Sequence, residues 1–174
     1  DRPIPPEVLE AILDDTKWAP SWSNTRPYLI GLATGERARE LSAAYCALFD
    51  DTVARAEDGR EPIEADGDYP VWARYPDDLR ESSVRLGKAL YTTLGIERAD
   101  RAARDTWTRR NFEAFGAPVI GLVYVHAGLL PFSAHDAGIL LGHLALAAKA
   151  RGVDSCALGN LAAFRSPGDA VFDI

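Results

Sequence analysis

The densest chemistry in this chain lies in Trp18-Ala19-Pro20-Ser21-Trp22-Ser23-Asn24-Thr25-Arg26-Pro27-Tyr28. Pro20 and Pro27, with the small polar residues between them, forbid regular structure. Trp18 and Trp22 offer flat apolar faces, and the rest of the stretch is rich in hydrogen-bonding groups. That mixture suits a surface on which a planar polar ligand stacks while its edge is read. The same residues also suit a plain helix-to-strand connector closed by a Ser or Asn turn, so both readings stand on composition alone.

In Gly152-Val153-Asp154-Ser155-Cys156-Ala157-Leu158-Gly159-Asn160, Gly152 is expected to end a helix, and a short strand then turns at Gly159. Arg109, Arg110 and Asn111 lie in an Arg-rich stretch that reads as a solvated helix face before a phosphate site.

Other constellations carry less. His126, His135 and His143 are too irregularly spaced for a metal motif, and His143 is expected to be a satisfied buried histidine. Cys46 and Cys156 match no zinc or redox spacing and read as buried thiols in a reducing compartment. There is no phosphate loop, no GxGxxG and no Gly-x-Ser-x-Gly elbow. The carboxylates form no recognisable catalytic pair.

These stretches need positioning elements. Val8, Leu9, Ile12 and Leu13 share one helical face after Pro5-Pro6, and Pro20 ends that segment. Tyr28 to Ala33 is a short apolar run and reads as a buried strand. Glu36 to Phe49 reads as a helix with Leu41, Ala44, Tyr45 and Leu48 inward. Residues 50–76 are acidic and turn-rich and read as a long excursion, which Trp72 and Tyr75 are placed to anchor. Asp77 to Leu94 is helical with Gly95 as its C-terminal cap, and Arg98 to Phe115 is helical again. Ala117 to Val125 is the strongest strand signal, expected in a central position buried on both faces. Ala137 to Arg151 has no polar face and is expected to be buried all round, as a central helix or at a subunit interface, with Ser133 or Asp136 capping it. Arg165 to Ile174 opens a further turn and helix.

At 174 residues, 47% hydrophobic and 26% charged, the chain suits one domain with a sizeable core. A net charge of −7 disfavours nucleic acid and anionic membrane as partners. No run reaches transmembrane length and no leader opens the chain, so a cytoplasmic protein is expected. The chain starts at Asp1, contains no Met and ends on Ile174, and it reads as an excerpt lacking both ends.

Pro20-Ser21-x-x-Asn24-x-x-Pro27-Tyr28 resembles the "PSxxNxQPW" segment of the FMN-dependent nitroreductase family. The phrase from Pro3 to Ser21 resembles that family's first complete helix. The stretch from Tyr75-Pro76 to Pro118 resembles the region before the central strand in nitrobenzoate-reductase-like members. Asp136-Ala137-Gly138 and the following Leu/Ala run resemble the core helix at the heart of a two-fold dimer, and Ala157 to Asn160 the loop along one face of the flavin.

The resemblance implies an α+β fold, with a mixed, mostly antiparallel sheet flanked by helices, working as a homodimer. Residues 1–174 form one domain, with a lid-like excursion at about 50–110. FMN is the implied bound cofactor and NAD(P)H the reductant, in ping-pong reduction of nitroaromatic, quinone-like or similar electrophiles. The flavin carries the chemistry and no catalytic side chain is expected. Ser21, Ser23, Asn24, Arg26, Ala157, Leu158, Gly159 and Asn160 are the implied cofactor contacts. Trp22, Arg110 and Asn111 are implied to line the substrate pocket, with Arg109 beside them a further candidate, and Arg26 stands where the family has Gln. The residues for the flavin phosphate are expected before Asp1 and beyond Ile174. No metal is implied. Dehalogenation, flavin destruction, azoline oxidation and non-catalytic flavin binding are the alternatives on the same scaffold.

Overall fold

The computed structural model describes residues 2–68, 70–71 and 74–174. The chain divides into two compact units, Asp1–Glu40 with Ala117–Ala157, and Leu41–Gly116 with Leu158–Ile174.

In the first unit, helix α1 (Pro6–Thr16) begins on proline, where a missing N–H is tolerated. Strand β1 (Tyr28–Thr34) pairs antiparallel with β2 (Val119–Val125) in the register Tyr28↔Val125 through Thr34↔Val119. The His126 N–H continues the ladder to Pro27 O at 2.9 Å. Helix α5 (Phe132–Ala150) packs on α1: Ile12, Ala147 and Ala148 are buried together, with Val8, Leu144 and Val153 against them. A 2.7 Å ion pair between Arg151 and Asp15 joins the ends of the same two helices. At the β1–β2 pairing, a Cβ on Gly121 would meet Leu32 Cδ2 at 3.2 Å, so glycine leaves room for the leucine opposite.

In the second unit lie most of α2 (Gly35–Glu57), α3 (Asp77–Leu94), α4 (Arg101–Phe112) and α6 (Ser166–Phe172). Its core holds Leu41, Tyr45, Phe112, Leu161, Ala163 and Phe164. Phe112 packs against Phe49 at 4.9 Å and against Phe164 at 6.4 Å between ring centres. The buried Tyr45 hydroxyl donates to Phe164 O at 3.2 Å. None of the residues of α3 is buried, and Leu79, Val84, Leu86 and Leu90 are exposed.

Several sequence expectations are corrected here. Helix α2 runs on to Glu57, into the segment read as an excursion, because no breaker intervenes before Gly59 at φ 65°, and Arg55 pairs with Asp51 one turn back. Asp66 and Gly67 are tied down: Asp66 accepts from the N–H groups of Arg165 (2.7 Å) and Ser166 (3.1 Å), and the Gly67 N–H donates to Ala163 O at 3.0 Å. Tyr75 is exposed, and Trp72 lies outside the described residues. Val153 to Leu158 forms no strand, since no other strand pairs with it among the described residues. Strand β2 is mostly half-buried, with only Ile120 buried, because the described sheet has two strands and neither is flanked on both sides. Helix α5 starts at Phe132 on Pro131, so Ser133 and Asp136 lie inside it, buried, instead of capping it. Within the single chain Leu141 and Leu146 are exposed, Leu146 at 74%, so α5 is not a central helix enclosed by this chain alone. Cys46 is buried, which pushes its thiol up, whereas Cys156 is exposed. His143 is half-buried, with Nδ1 3.0 Å from Ile139 O. Among the described residues no helix is long and apolar enough to cross a membrane, and no cluster could hold a metal ion.

Candidate functional site

The loop between α1 and β1 is a built structure. Trp22–Asn24 forms a short 3-10 turn, and Ser23, Asn24 and Arg26 have φ of 48°, 55° and 49°. Left-handed backbone is unfavourable for L-residues and persists only where surrounding contacts impose it. Here the Asn24 N–H donates to Ser21 O (3.0 Å), the Thr25 N–H to Trp22 O (3.0 Å) and the Arg26 N–H to Ser21 Oγ (2.9 Å). Ser21 is thus a folding residue of the loop as well as a candidate contact. The side chains of Ser23, Asn24 and Arg26 are exposed and make no hydrogen bond or ion pair among the described residues.

Trp22 is anchored twice. Its N–H donates to Asp136 Oδ2 at 2.9 Å, and its ring stacks on Phe132 with centres 4.3 Å apart and planes 23° apart. Asp136 is 2% exposed, and His135 Nδ1 lies 3.5 Å from its other oxygen. Arg26 borders a groove of about 620 Å³ with Tyr28, Tyr124, His126 and Leu129. The His126 imidazole accepts from the Gly128 N–H at 3.1 Å, which fixes one wall. Sequence reasoning missed Phe132, Asp136 and His126. Asp136 had one available signal, a carboxylate at the head of an apolar helix run, where it must find a donor.

Ala157 belongs to the first unit and is exposed. Leu158, Gly159 and Asn160 belong to the second, where a 3-10 turn over Gly159–Ala163 packs against α4. A Cβ added at Gly159 would meet only Val71 Cγ1, at an ordinary 3.9 Å. A methyl group at this residue would therefore be tolerated by packing among the described residues of the unit.

Arg110 and Asn111 sit on α4 in the same unit. Arg110 pairs with Glu113 at 3.1 Å, and Asn111 Nδ2 donates to Thr108 O at 3.1 Å. Arg109, also a sequence candidate for the pocket, is held in ion pairs within the unit. It holds Asp50 through two nitrogens at 2.7 and 2.9 Å and also pairs with Glu113. Hydrogen bonding from Arg109 holds the Asp50 carboxyl below its ordinary range, and the same bonding pushes the guanidinium up. Burial pushes the Asp66 carboxyl up, but hydrogen bonds from Ser166 and from the Arg165 backbone outweigh it and leave it low.

The chain can now be set beside known proteins. It is 34% identical over 169 residues to 4-nitrobenzoate reductase of Pseudomonas putida, covering 94% of this chain and 67% of that protein. It is 32% identical over 157 residues to nitrobenzene nitroreductase of Ectopseudomonas oleovorans, covering 90% and 65%. The chain thus spans about two thirds of the length of the curated relatives it matches. Among solved structures it resembles the FMN- and NADPH-dependent nitroreductase NfnB from Sphigopyxis sp. strain HMH, with a TM-score of 0.85, 27% identity and coverage of 100% and 74%. It also resembles the FMN-dependent NfnB from Mycobacterium smegmatis, solved with NADPH, with a TM-score of 0.82, 26% identity and coverage of 99% and 73%. The α+β arrangement of an antiparallel strand pair among helices is the fold of these structures. The sequence profile of the Nitroreductase family matches residues 1–173, and the chain belongs to that family.

Proposed function

We propose that this chain is the flavin-holding part of an FMN-dependent oxidoreductase that reduces nitroaromatic or related electrophilic compounds with NAD(P)H in a ping-pong sequence. The observation that carries this reading is the loop Ser21–Arg26, whose left-handed backbone is pinned while the side chains of Ser23, Asn24 and Arg26 are left in solvent. That donor set fits the edge of a flavin ring: a hydroxyl and an amide that both give and accept, and a permanent cation. The lack of a side chain at Gly159 fits close approach of a flat group to backbone. The relatives named for 4-nitrobenzoate and nitrobenzene point to the acceptor class.

FMN, when bound, supplies the hydride chemistry and accounts for the absence of a catalytic side chain from the proposal. Ser21, Ser23, Asn24 and Arg26 read its polar edge, and the backbone of Ala157, Leu158, Gly159 and Asn160 lies along the ring. Trp22, with one face stacked on Phe132, turns its remaining exposed surface to the acceptor, and Arg110 and Asn111 are further candidates for polar contact with it. The segment from about 50 to 110 acts as the lid. The exposed Leu146 of α5 lies in the face through which two copies form a homodimer.

The test is the visible spectrum of the full-length protein with FMN, before and after anaerobic addition of NAD(P)H. A bound-flavin spectrum that bleaches, then recovers when a nitroaromatic is added, is the expected result. A colourless protein that takes up no FMN overturns the proposal. A flavin that is never reduced by either nicotinamide restricts the protein to flavin binding.

A further inference from the structure

The geometry points to Asp136 and Phe132 as positioning residues: one turn apart on α5, they latch the Ser21–Arg26 loop through Trp22 and so set the edge offered to the flavin. This rests on the reading of that loop as the flavin-holding segment. Residues four apart on a helix share a face, and this face grips Trp22 in two ways. The Asp136 carboxylate takes the Trp22 backbone N–H at 2.9 Å, and the Phe132 ring takes the indole at 4.3 Å. Backbone and side chain of one residue are therefore both referred to the same helix.

The loop's internal bonds, from Asn24, Thr25 and Arg26 back to Ser21 and Trp22, close it on itself. They do not orient it relative to the rest of its unit. The contacts of Trp22 with α5 do so, immediately before the three left-handed residues whose side chains face solvent. An apolar side chain at position 136 would pack α5 without the desolvation that a buried carboxylate suffers. It would not hold the Trp22 N–H, whereas a carboxylate does so through a charge-assisted bond. His135 is the other titratable group beside the carboxylate, and its side chain is 72% exposed.

The test combines hydrogen exchange of individual segments with FMN titration, on the full-length protein and three variants. Asp136→Leu removes the acceptor, Asp136→Asn keeps one, and Phe132→Ala removes the ring. Phe132 is 40% exposed, so its loss leaves the buried core in place. Asp136→Leu and Phe132→Ala should each speed exchange of the amides of residues 21–26 by about tenfold, leave the β1–β2 ladder unchanged, and weaken FMN binding by about tenfold. Asp136→Asn, which keeps an acceptor oxygen on a side chain of the same shape, should return both quantities toward wild type.

Unchanged loop exchange in both Asp136→Leu and Phe132→Ala overturns the latch. If Asp136→Leu opens the whole unit, the other two variants decide. Faster loop exchange with wild-type FMN affinity overturns the positioning role while leaving flavin binding intact. A wild-type protein that takes up no FMN removes the proposed function and the positioning role together, and the exchange measurement still reports whether the latch exists.

Discussion

Arg109 and Asp50, far apart in sequence, meet in a two-toothed pair, Nε to Oδ1 at 2.7 Å and Nη2 to Oδ2 at 2.9 Å. This pair joins α4 to α2 within the second unit. The side chains are 36% and 53% exposed, so solvent screening limits the pair to about 0.5–1 kcal/mol. Asp50→Ala should lower the stability of the second unit by about that amount in urea titrations at pH 7, and less in high salt. The Asp50 carboxyl is lowered in the folded state, so its contribution is present above the unfolded value of about 3.9 and is lost as pH falls through the folded value. The wild-type advantage over Asp50→Ala should accordingly hold from pH 7 down to about 5 and shrink in more acid solution. An advantage that grows on acidification would contradict the pairing.

Gly67 and Gly159 should respond oppositely to alanine. A Cβ at Gly67 would fall 2.2 Å from Ala162 O and 2.9 Å from Ala163 O, both backbone atoms that cannot swing aside. Gly67→Ala should therefore destabilise by about 1–3 kcal/mol or more and release the tether at residues 66–68, read as accelerated proteolysis in that segment. Gly159→Ala meets only ordinary contact and should leave the melting temperature near wild type. If backbone there lies against the flavin, the same methyl should weaken FMN binding by about tenfold in a fluorescence titration. Tight FMN binding by Gly159→Ala would take this residue out of the proposed site.

Arg26 is an exposed cation without a partner among the described residues, at the position where related proteins are expected to carry Gln. Its charge should favour reduced flavin. Arg26→Gln should lower the midpoint potential of bound FMN by on the order of 30 mV, a tenfold change for a two-electron couple. Spectroelectrochemistry with a reference dye reads this directly. An unchanged potential would leave Arg26 a groove residue without electrostatic influence on the ring.

Leu146 is 74% exposed on a helix whose other side is packed on α1. Leu146→Glu should convert a homodimer to monomer in light scattering at micromolar concentration, since a charge placed in an apolar interface is left unpaired. A dimer unaffected by this change would place the subunit interface elsewhere.

The sequence by itself determined the features that depend on neighbours a few residues apart. Asp77–Leu94 is helical with Gly95 at φ 68° because periodicity and a left-handed cap are local properties. The strands Tyr28–Thr34 and Val119–Val125 follow from short apolar runs bounded by breakers. The stretch Pro20–Pro27 announced itself by residue type, so the proposed site was legible as a loop. Its conformation was not: left-handed Ser23, Asn24 and Arg26 depend on who accepts which N–H.

Only the tertiary structure decided the partners. Asp136, read locally as a helix cap, is a buried acceptor for Trp22, 114 residues away. Arg109, read as a pocket candidate, is paired with Asp50, 59 residues away. Leu141 and Leu146 look like core in the pattern of α5 and yet are exposed within the single chain. The physical reason is common to all of these. Local pattern encodes the period and ends of an element, whereas burial and hydrogen-bond partners are set by which distant segments the fold brings alongside it.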